Sequence, residues 1–412
     1  MASFAIPLSG LAANSEWLST ISNNLANLNT DGYKDQTINF GDLLYQMQGS
    51  AGNNDPIQIG SGVQVNSTTS NFTNGNVDST GVASNMALQG NGFFVVKNGG
   101  ETDYTRAGDF TVNSSGQLTD PSGDLVMGYP AVNGAVSTTS ALGPITVNQA
   151  AVIPAVPTTS FDTTTNLQAG AAVGATFSTP INVVDSLGIS QTLSIQYTNT
   201  GTNTWSYNIT LPASATGGTG NPTTVASGAL TFNSSGALTS PSGSVTGINI
   251  TGLSDGAAPM SLTWNLNGAS GSPTLTQQDS ASATSATNQN GYGEGTLTGY
   301  SVLADGTVQG QFSNDQTLTL GQVAVASFAN VQGLTQASNG NFQSSIASGA
   351  AVVGQAGVGG NGTITGGAVE ESNVDLSTEF SNMIVAQQGY EANAKALTTF
   401  DQISQATIQL IS

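Results

Sequence analysis

The chain contains no cysteine and no histidine. Those two absences remove thiol nucleophiles, imidazole bases, disulfides and every zinc site built on Cys or His ligands. Positive charge is nearly missing as well. Lys34, Lys97, Arg106 and Lys395 stand against 24 acidic residues, for a formal net charge of -20, and only 7% of the residues are charged at all. Such a chain cannot neutralise a phosphate backbone and is repelled by anionic membrane surfaces, so no nucleic-acid partner is expected. Membrane insertion is not expected either, because no stretch is long and apolar enough to span a bilayer. The first residues lack a basic segment followed by an apolar run, so they do not read as a cleaved signal peptide, and an exported chain would leave with its N-terminus intact. No cofactor or metal is expected: neither the EF-hand spacing nor a glycine-aspartate nonapeptide repeat is present.

What is present is concentrated at the two ends. From Val374 to Ser412, Leu376, Phe380, Met383, Gln387, Tyr390, Ala394 and Leu397 follow a 4-3-4-3 spacing, the seam of a helix that lies against other helices. Beyond Leu397 the stripe shifts to Phe400, Ile403, Thr407 and Leu410. From Phe4 to Leu28 there is a second set of heptads, with Phe4, Leu11, Leu18 and Leu25 in one row and Asn14, Ile21 and Leu28 in the next. At 1.5 Å per residue the C-terminal helix would be about 58 Å long, more than one small domain can cover. Its partner is expected to be the other terminus, neighbouring chains, or both. The assembly interface expected from these rows is Leu11, Leu18, Ile21, Leu25, Leu28, Leu376, Phe380, Met383, Ile384, Tyr390, Ala394 and Leu397. Ser372 followed by Asp375 has the spacing of a capping box at the start of the long helix.

Between the ends the pattern is short apolar runs punctuated by Gly, Asn, Asp and Ser, the signature of antiparallel β structure. At 412 residues the chain should hold two to four domains. Composition shifts divide it into a terminal helical region (1-32 plus 372-412), a connector (33-70), a discontinuous β domain (71-149 plus 289-371) and an inserted β domain (150-288). The fold class is therefore mainly β with α-helical termini: a coiled-coil-like layer, a discontinuous β domain and an inserted outer β-sandwich or barrel. The polar stretch Gln277 to Asn290 reads as the return linker. Two strings, Phe110 to Gly123 and Leu230 to Gly243, share a strand, an Asn-Ser-Ser-Gly turn, a short strand and a Pro-Ser-Gly turn, so each reads as a β-hairpin unit.

Other functions have only thin support in these residues. A glycosidase would need two carboxylates across a groove, and Asp103, Asp109, Asp120 and Asp124 are the available ones. In a turn-rich β protein such residues are expected to be Asx-turn formers, and the chain is not expected to be an enzyme. A secreted adhesin would present aromatics such as Trp205, Trp264 and Tyr292, but it has no use for heptads at both ends. Arg106 and Tyr104 read as structural. Self-association in one repeated head-to-tail sense through the terminal helices would yield an open helical polymer.

Three groups of strings carry a specific likeness. They are Ser9-Gly10-Leu11 with Ile21-Ser-Asn-Asn-Leu-Ala-Asn27 and Asp31-Gly-Tyr-Lys34; Ala87-Leu-Gln-Gly-Asn-Gly-Phe-Phe-Val-Val96 with Tyr104-Thr-Arg-Ala-Gly108; and Glu370-Glu-Ser-Asn-Val-Asp-Leu-Ser377 with Ala386-Gln387, Tyr390 and Ala392-Asn-Ala-Lys395. In these the sequence resembles the bacterial flagellar axial family of rod and hook proteins, and within it the hook branch. One departure is Gln388, where the family pattern has Arg. The resemblance implies a structural subunit of the extracellular flagellum, exported through the flagellar type III export apparatus without a cleaved signal peptide. It implies self-assembly into a curved helical tube, a universal joint between rod and filament with the export channel inside. The distal rod protein, the hook cap and the hook-filament junction protein would be its other partners. A rod or junction subunit is the alternative that the resemblance leaves open.

Overall fold

The computed structural model describes residues 4-50, 56-148, 150-268 and 271-411. The chain divides into two compact units, one formed by Met1–Gln149, Gly299–Gln311 and Thr317–Ser412, the other by Ala150–Thr298 and Phe312–Gln316.

In the first unit, helix α1 (Ala5–Ala26) and helix α2 (Leu376–Ile411) pack on each other. The connector is not bare: Gln36–Asp42 pairs antiparallel with Val63–Ser70, and this hairpin lies against α1, with Trp17 edge-on to Phe40 at 5.8 Å. The β part of the unit runs in the strand order Thr307–Phe312, Thr317–Val323, Leu125–Val132, Phe93–Asn98, Glu101–Thr105, Phe342–Gln343. Phe93, Val95, Tyr104, Met127, Tyr129 and Phe342 fill one face of it, with Phe72 and Phe328 packed against them. Alternate residues of a strand point to one face, and so the inward set is the apolar one. Three of its strands come from the stretch after Gly349: Val352–Gly354 pairs with Val325–Ser327, Thr363–Gly366 with Met86–Gln89 and Ala368–Glu370 with Val77–Ser79.

The second unit is a two-sheet β-sandwich. One sheet is an antiparallel meander of Thr176–Val184, Ser190–Gly201, Thr204–Leu211, Thr223–Phe232 and Leu238–Ser240. The other has Ser160–Gln168 at its centre, parallel to Met260–Asn265 and Leu275–Gln278. Inward residues of both sheets form one core in which Trp205, Trp264, Tyr197 and Phe161 are fully buried. Among the described residues there is no closed barrel, so the sandwich is the form the inserted β region takes.

Two expectations are corrected here. The polar stretch Gln277 to Asn290 contains a strand, Ala283–Gln289, paired antiparallel with Ser160–Gln168. It is mostly exposed and is held by its backbone ladder together with polar side-chain bonds, such as those of Thr284 with Thr165 and of Asn288 to Asp162, so no apolar alternation marks it in the sequence. Trp205 and Trp264 are core residues at 1% and 0% exposure, which leaves no aromatic platform there for an adhesin.

The turns follow one chemical rule. Oδ1 of Asn113 accepts from the Ser115 and Gln117 N–H groups, and Oδ1 of Asn233 accepts from those of Ser235 and Ala237. Asp120 does the same with Ser122 and Asp124, and Asp185 with Leu187 and Ile189. The side chain thereby replaces the missing backbone acceptor at the corner of each hairpin. The two similar strings are hairpins for this reason, whichever unit they belong to.

Candidate assembly site

α1 runs antiparallel to α2. Phe4 meets Phe400 edge-on with ring centroids 6.3 Å apart, Gly10 faces Asn393, Asn14 faces Gly389, and Asn24 donates to Glu379 at 3.4 Å. Gly10 and Asn14, like Gly389 and Asn393, stand four residues apart and so share one face of their helix. Each asparagine donates back to the glycine carbonyl of its own helix, at 2.7 Å in α1 and 2.8 Å in α2. The same amide lies over the glycine of the other helix: a Cβ on Gly10 would come within 2.6 Å of Asn393 Oδ1, and one on Gly389 within 2.7 Å of Asn14 Oδ1. A repeated Gly-x-x-x-Asn element therefore sets how closely the helices approach.

Small and polar residues therefore occupy the centre of the helix contact. In α1 the buried residues are Pro7, Gly10, Ala13, Ile21 and Asn24, and in α2 Glu379 and Ala386. Of the interface expected from the sequence, Ile21 is buried, and Leu11, Leu18, Leu25, Leu28, Met383, Ala394 and Leu397 are half-buried. Leu376, Phe380, Ile384 and Tyr390 are 42 to 55% exposed. Val385, Ile403 and Ile408 are exposed alongside them, and Phe4, Ile6 and Leu8 are exposed on α1. Past Phe400, which faces Phe4 at the first described residues of the chain, α2 continues with every described side chain exposed except Ser404. One folded chain thus presents rows of large apolar side chains that are exposed among the described residues.

α2 begins one turn later than the capping-box spacing suggests. Asp375, not Ser372, is the cap: its Oδ1 accepts from the Thr378 N–H at 2.8 Å, and that bond holds its carboxyl below the usual carboxylate range.

The base of the helix pair is fixed by a buried ionic cluster that the sequence analysis did not single out. Lys34 Nζ donates to Glu370 Oε1 at 2.6 Å and to the Thr73 carbonyl at 2.9 Å. Arg106 donates to Glu370 Oε2 at 3.5 Å and to the carbonyls of Leu88 and Gly90, with its guanidinium 5.2 Å from the centroid of the Phe93 ring. The Gly75 N–H donates to Glu370 Oε1 at 2.8 Å. The side chains of Lys34 and Glu370 are fully buried and that of Arg106 is 2% exposed. Burial pulls the pKa of Lys34 below its ordinary value, while the carboxylate of Glu370 pushes it back up. Each of the three groups of strings singled out in the sequence contributes one charge. Gly32 sits at φ 67°, and its N–H donates to the Glu370 carbonyl at 2.7 Å, so the turn before Lys34 is tied to the same strand. The only sequence signal was the presence of rare cations inside those strings.

Beside this cluster, Asn24 joins the two helices to the connector. Its Nδ2 donates to Asp35 Oδ1 at 2.6 Å, and its Oδ1 accepts from Tyr33 Oη and the Gln36 N–H. Burial, with the charge of Glu379 added, pushes the carboxyl of Asp35 up to about 6.

Elsewhere the carboxylates weighed for catalysis are tied into the fold. Asp120 holds its turn, Gln343 donates to Asp103 at 2.9 Å and Asn341 to Asp124 at 3.4 Å. Among the described residues no group of three or more acidic side chains is placed to hold a metal ion, and no helix is long and apolar enough to cross a membrane.

The fold and its site define a structural protein whose two chain ends form one helical element, pinned to a β domain by a buried ionic cluster. Comparison with known proteins specifies which one. Four family models match: the flagella basal body rod protein model at residues 6-34, the flagellar hook protein FlgE/F/G D1 domain at 87-168, the flagellar basal body protein FlaE D2 domain at 157-292, and the flagellar basal body rod FlgEFG protein C-terminal model at 365-410. The chain is 33% identical to the flagellar hook protein FlgE of Escherichia coli (strain K12), over 99% of each chain. It is 35% identical to that of Salmonella typhimurium over 99% of this chain and 100% of the relative, and 32% identical to that of Borreliella burgdorferi over 98% of each. A crystal structure of the Helicobacter pylori flagellar hook protein FlgE2 shares the fold with a TM-score of 0.52 at 14% identity, covering 70% of this chain and 98% of that one. The chain belongs to the flagellar hook protein FlgE family.

Proposed function

We propose that the chain is a structural subunit of the bacterial flagellar hook and that it polymerises through its terminal helices into a curved tube, the joint between rod and filament, with the export channel inside. The observation that carries this reading is the pairing of the chain ends into one helical element whose large apolar side chains remain uncovered, in a chain related to hook proteins along its whole length. Its principal partner is a further copy of itself. At the ends of the tube the distal rod, hook cap and hook-filament junction proteins meet it, and it reaches the outside through the flagellar export apparatus with its N-terminus uncleaved. It carries out no catalysis.

The exposed rows set the scale of the contact. Leu376, Phe380, Ile384, Val385, Tyr390, Ile403 and Ile408 are each about half exposed. Covering the remainder of each contributes about 1 kcal/mol, so the whole set gives roughly 7 kcal/mol. Association alone costs about 4–15 kcal/mol in lost freedom. The two magnitudes are comparable, so each further neighbour that covers part of these rows, as in a helical array, adds to the stability of the contact. Only Lys97 and Lys395 remain as exposed cations, so like charge opposes association and salt promotes it.

Electron microscopy of the full chain after salting-out, beside a variant lacking residues 1-30 and 373-412, tests the proposal. Curved tubes from the full chain and none from the truncated one are expected. Straight tubes would favour a rod-like role, and discrete particles from both would overturn assembly through the ends.

A further inference from the structure

A cleft of about 310 Å³ opens in the first unit between Phe72, Phe93 and Phe328, with Arg106 in its lining and Gly359 and Gly360 at its edge. Its aromatic walls pack on one another: Phe93 contacts Phe72 and Phe328 edge-on, with centroids 5.5 and 5.8 Å apart. The volume is at the low end for a binding pocket and suits one or two side chains. Two features of Arg106 make it more than a packing gap. Its Nε is buried and has no acceptor. Moreover, Glu370 is one carboxylate shared by two buried cations, so the cluster keeps one uncompensated positive charge beside the cleft. In a chain of net charge -20 this favours an occupant that is apolar at its tip and carries a carboxylate.

The chain supplies a segment of that description. Between the strands Gln36–Asp42 and Gln46–Ser50, Leu44 is 90% exposed and Tyr45 56% exposed, next to the exposed Asp42. The segment is held in place, since the Leu43 N–H donates to the Gly62 carbonyl at 2.9 Å. We propose that Asp42–Tyr45 of a second copy seats in this cleft, with Leu44 and Tyr45 against the phenylalanines and the carboxylate of Asp42 facing Arg106. The segment and the cleft are different surfaces of the same unit, so the contact is heterologous, the kind that builds an open helical polymer when its rotation does not close. The inference rests on the polymer reading above and adds a second contact, away from the helices.

The absence of cysteine permits a direct test. The double variant Leu44→Cys, Ala329→Cys places one thiol on the segment and one in the lining of the cleft. Oxidation of assembled tubes is expected to give a ladder of covalent multimers on a non-reducing gel, which neither single variant gives. Tubes without a ladder would overturn the contact and leave the polymer reading standing. A cross-link confined to monomers would also overturn it, because the segment would then be reaching its own cleft. If the wild-type chain forms no tubes, the polymer reading fails and the contact with it. Should the double variant not assemble, Leu44→Asp serves: at least a tenfold drop in tube yield with an unchanged circular dichroism spectrum is expected, and an undiminished yield would refute the proposal.

Discussion

Replacing Glu370 with glutamine tests the ionic cluster most directly. The side chain keeps its shape while the one charge shared by Lys34 and Arg106 is removed. Both cations stay buried, Lys34 against the Thr73 carbonyl and Arg106 against those of Leu88 and Gly90. Breaking a buried pair in this way costs about 3–5 kcal/mol, because an uncompensated charge is left in a poorly polarisable interior. Lys34→Met should behave differently. It leaves Arg106 and Glu370 as a balanced pair, and Glu370 keeps the Gly75 N–H, so its expected cost is below about 2 kcal/mol despite the loss of the shorter contact. A unit of this size shifts its midpoint by roughly 2–4 °C per kcal/mol, which places Glu370→Gln near 10 °C below the parent. Calorimetry of the unassembled chain separates the two units, and the second, which contains none of the three residues, should keep its transition. A cost below about 1 kcal/mol for Glu370→Gln, or a larger cost for Lys34→Met, would refute the charge-balance argument.

The same reasoning extends to the helix contact and to pH. Gly10→Ala gains about 1 kcal/mol of helix propensity but drives its Cβ into Asn393, so it should destabilise the parent and stabilise the Asn393→Ala background, a sign reversal that a double-mutant cycle in urea would detect. Burial pushes the Asp35 carboxyl from its ordinary 3.8 up to about 6, so between those values the native state binds the extra proton; this residue makes stability fall as pH rises from about 4 to 6, and Asp35→Asn should flatten that part of the profile. Asp375→Ala removes the acceptor of the Thr378 N–H and should speed hydrogen exchange in the first turn of α2 while leaving its middle unchanged.

Local physics made much of the protein readable from its residues. Trp205 to Leu211 announces itself because alternate side chains are apolar when one face is buried, and Phe93 to Val96 as a short continuous apolar run because both of its faces are buried. The Asx turns at Asn113, Asp120 and Asn233 were legible because the residue that makes the turn supplies the hydrogen bond itself. The terminal helices were legible from their spacing alone. Ala283–Gln289 was not, because an exposed strand held by its backbone and by polar side chains carries no apolar alternation. Nor was the face on which the helices meet. Periodicity marks the large residues, yet the closest approach is made by Gly10, Asn14, Gly389 and Asn393, and a glycine shows its use only when another backbone is brought up to it. The cluster of Lys34, Arg106 and Glu370 joins positions 34, 106 and 370, and no local pattern reports a contact over such separations. The sequence by itself determined the turns, the strands and the amphipathic ends, which depend on neighbours along the chain. Tertiary structure alone decided which rare charges are buried together and which apolar rows stay uncovered, because both depend on what folding brings near.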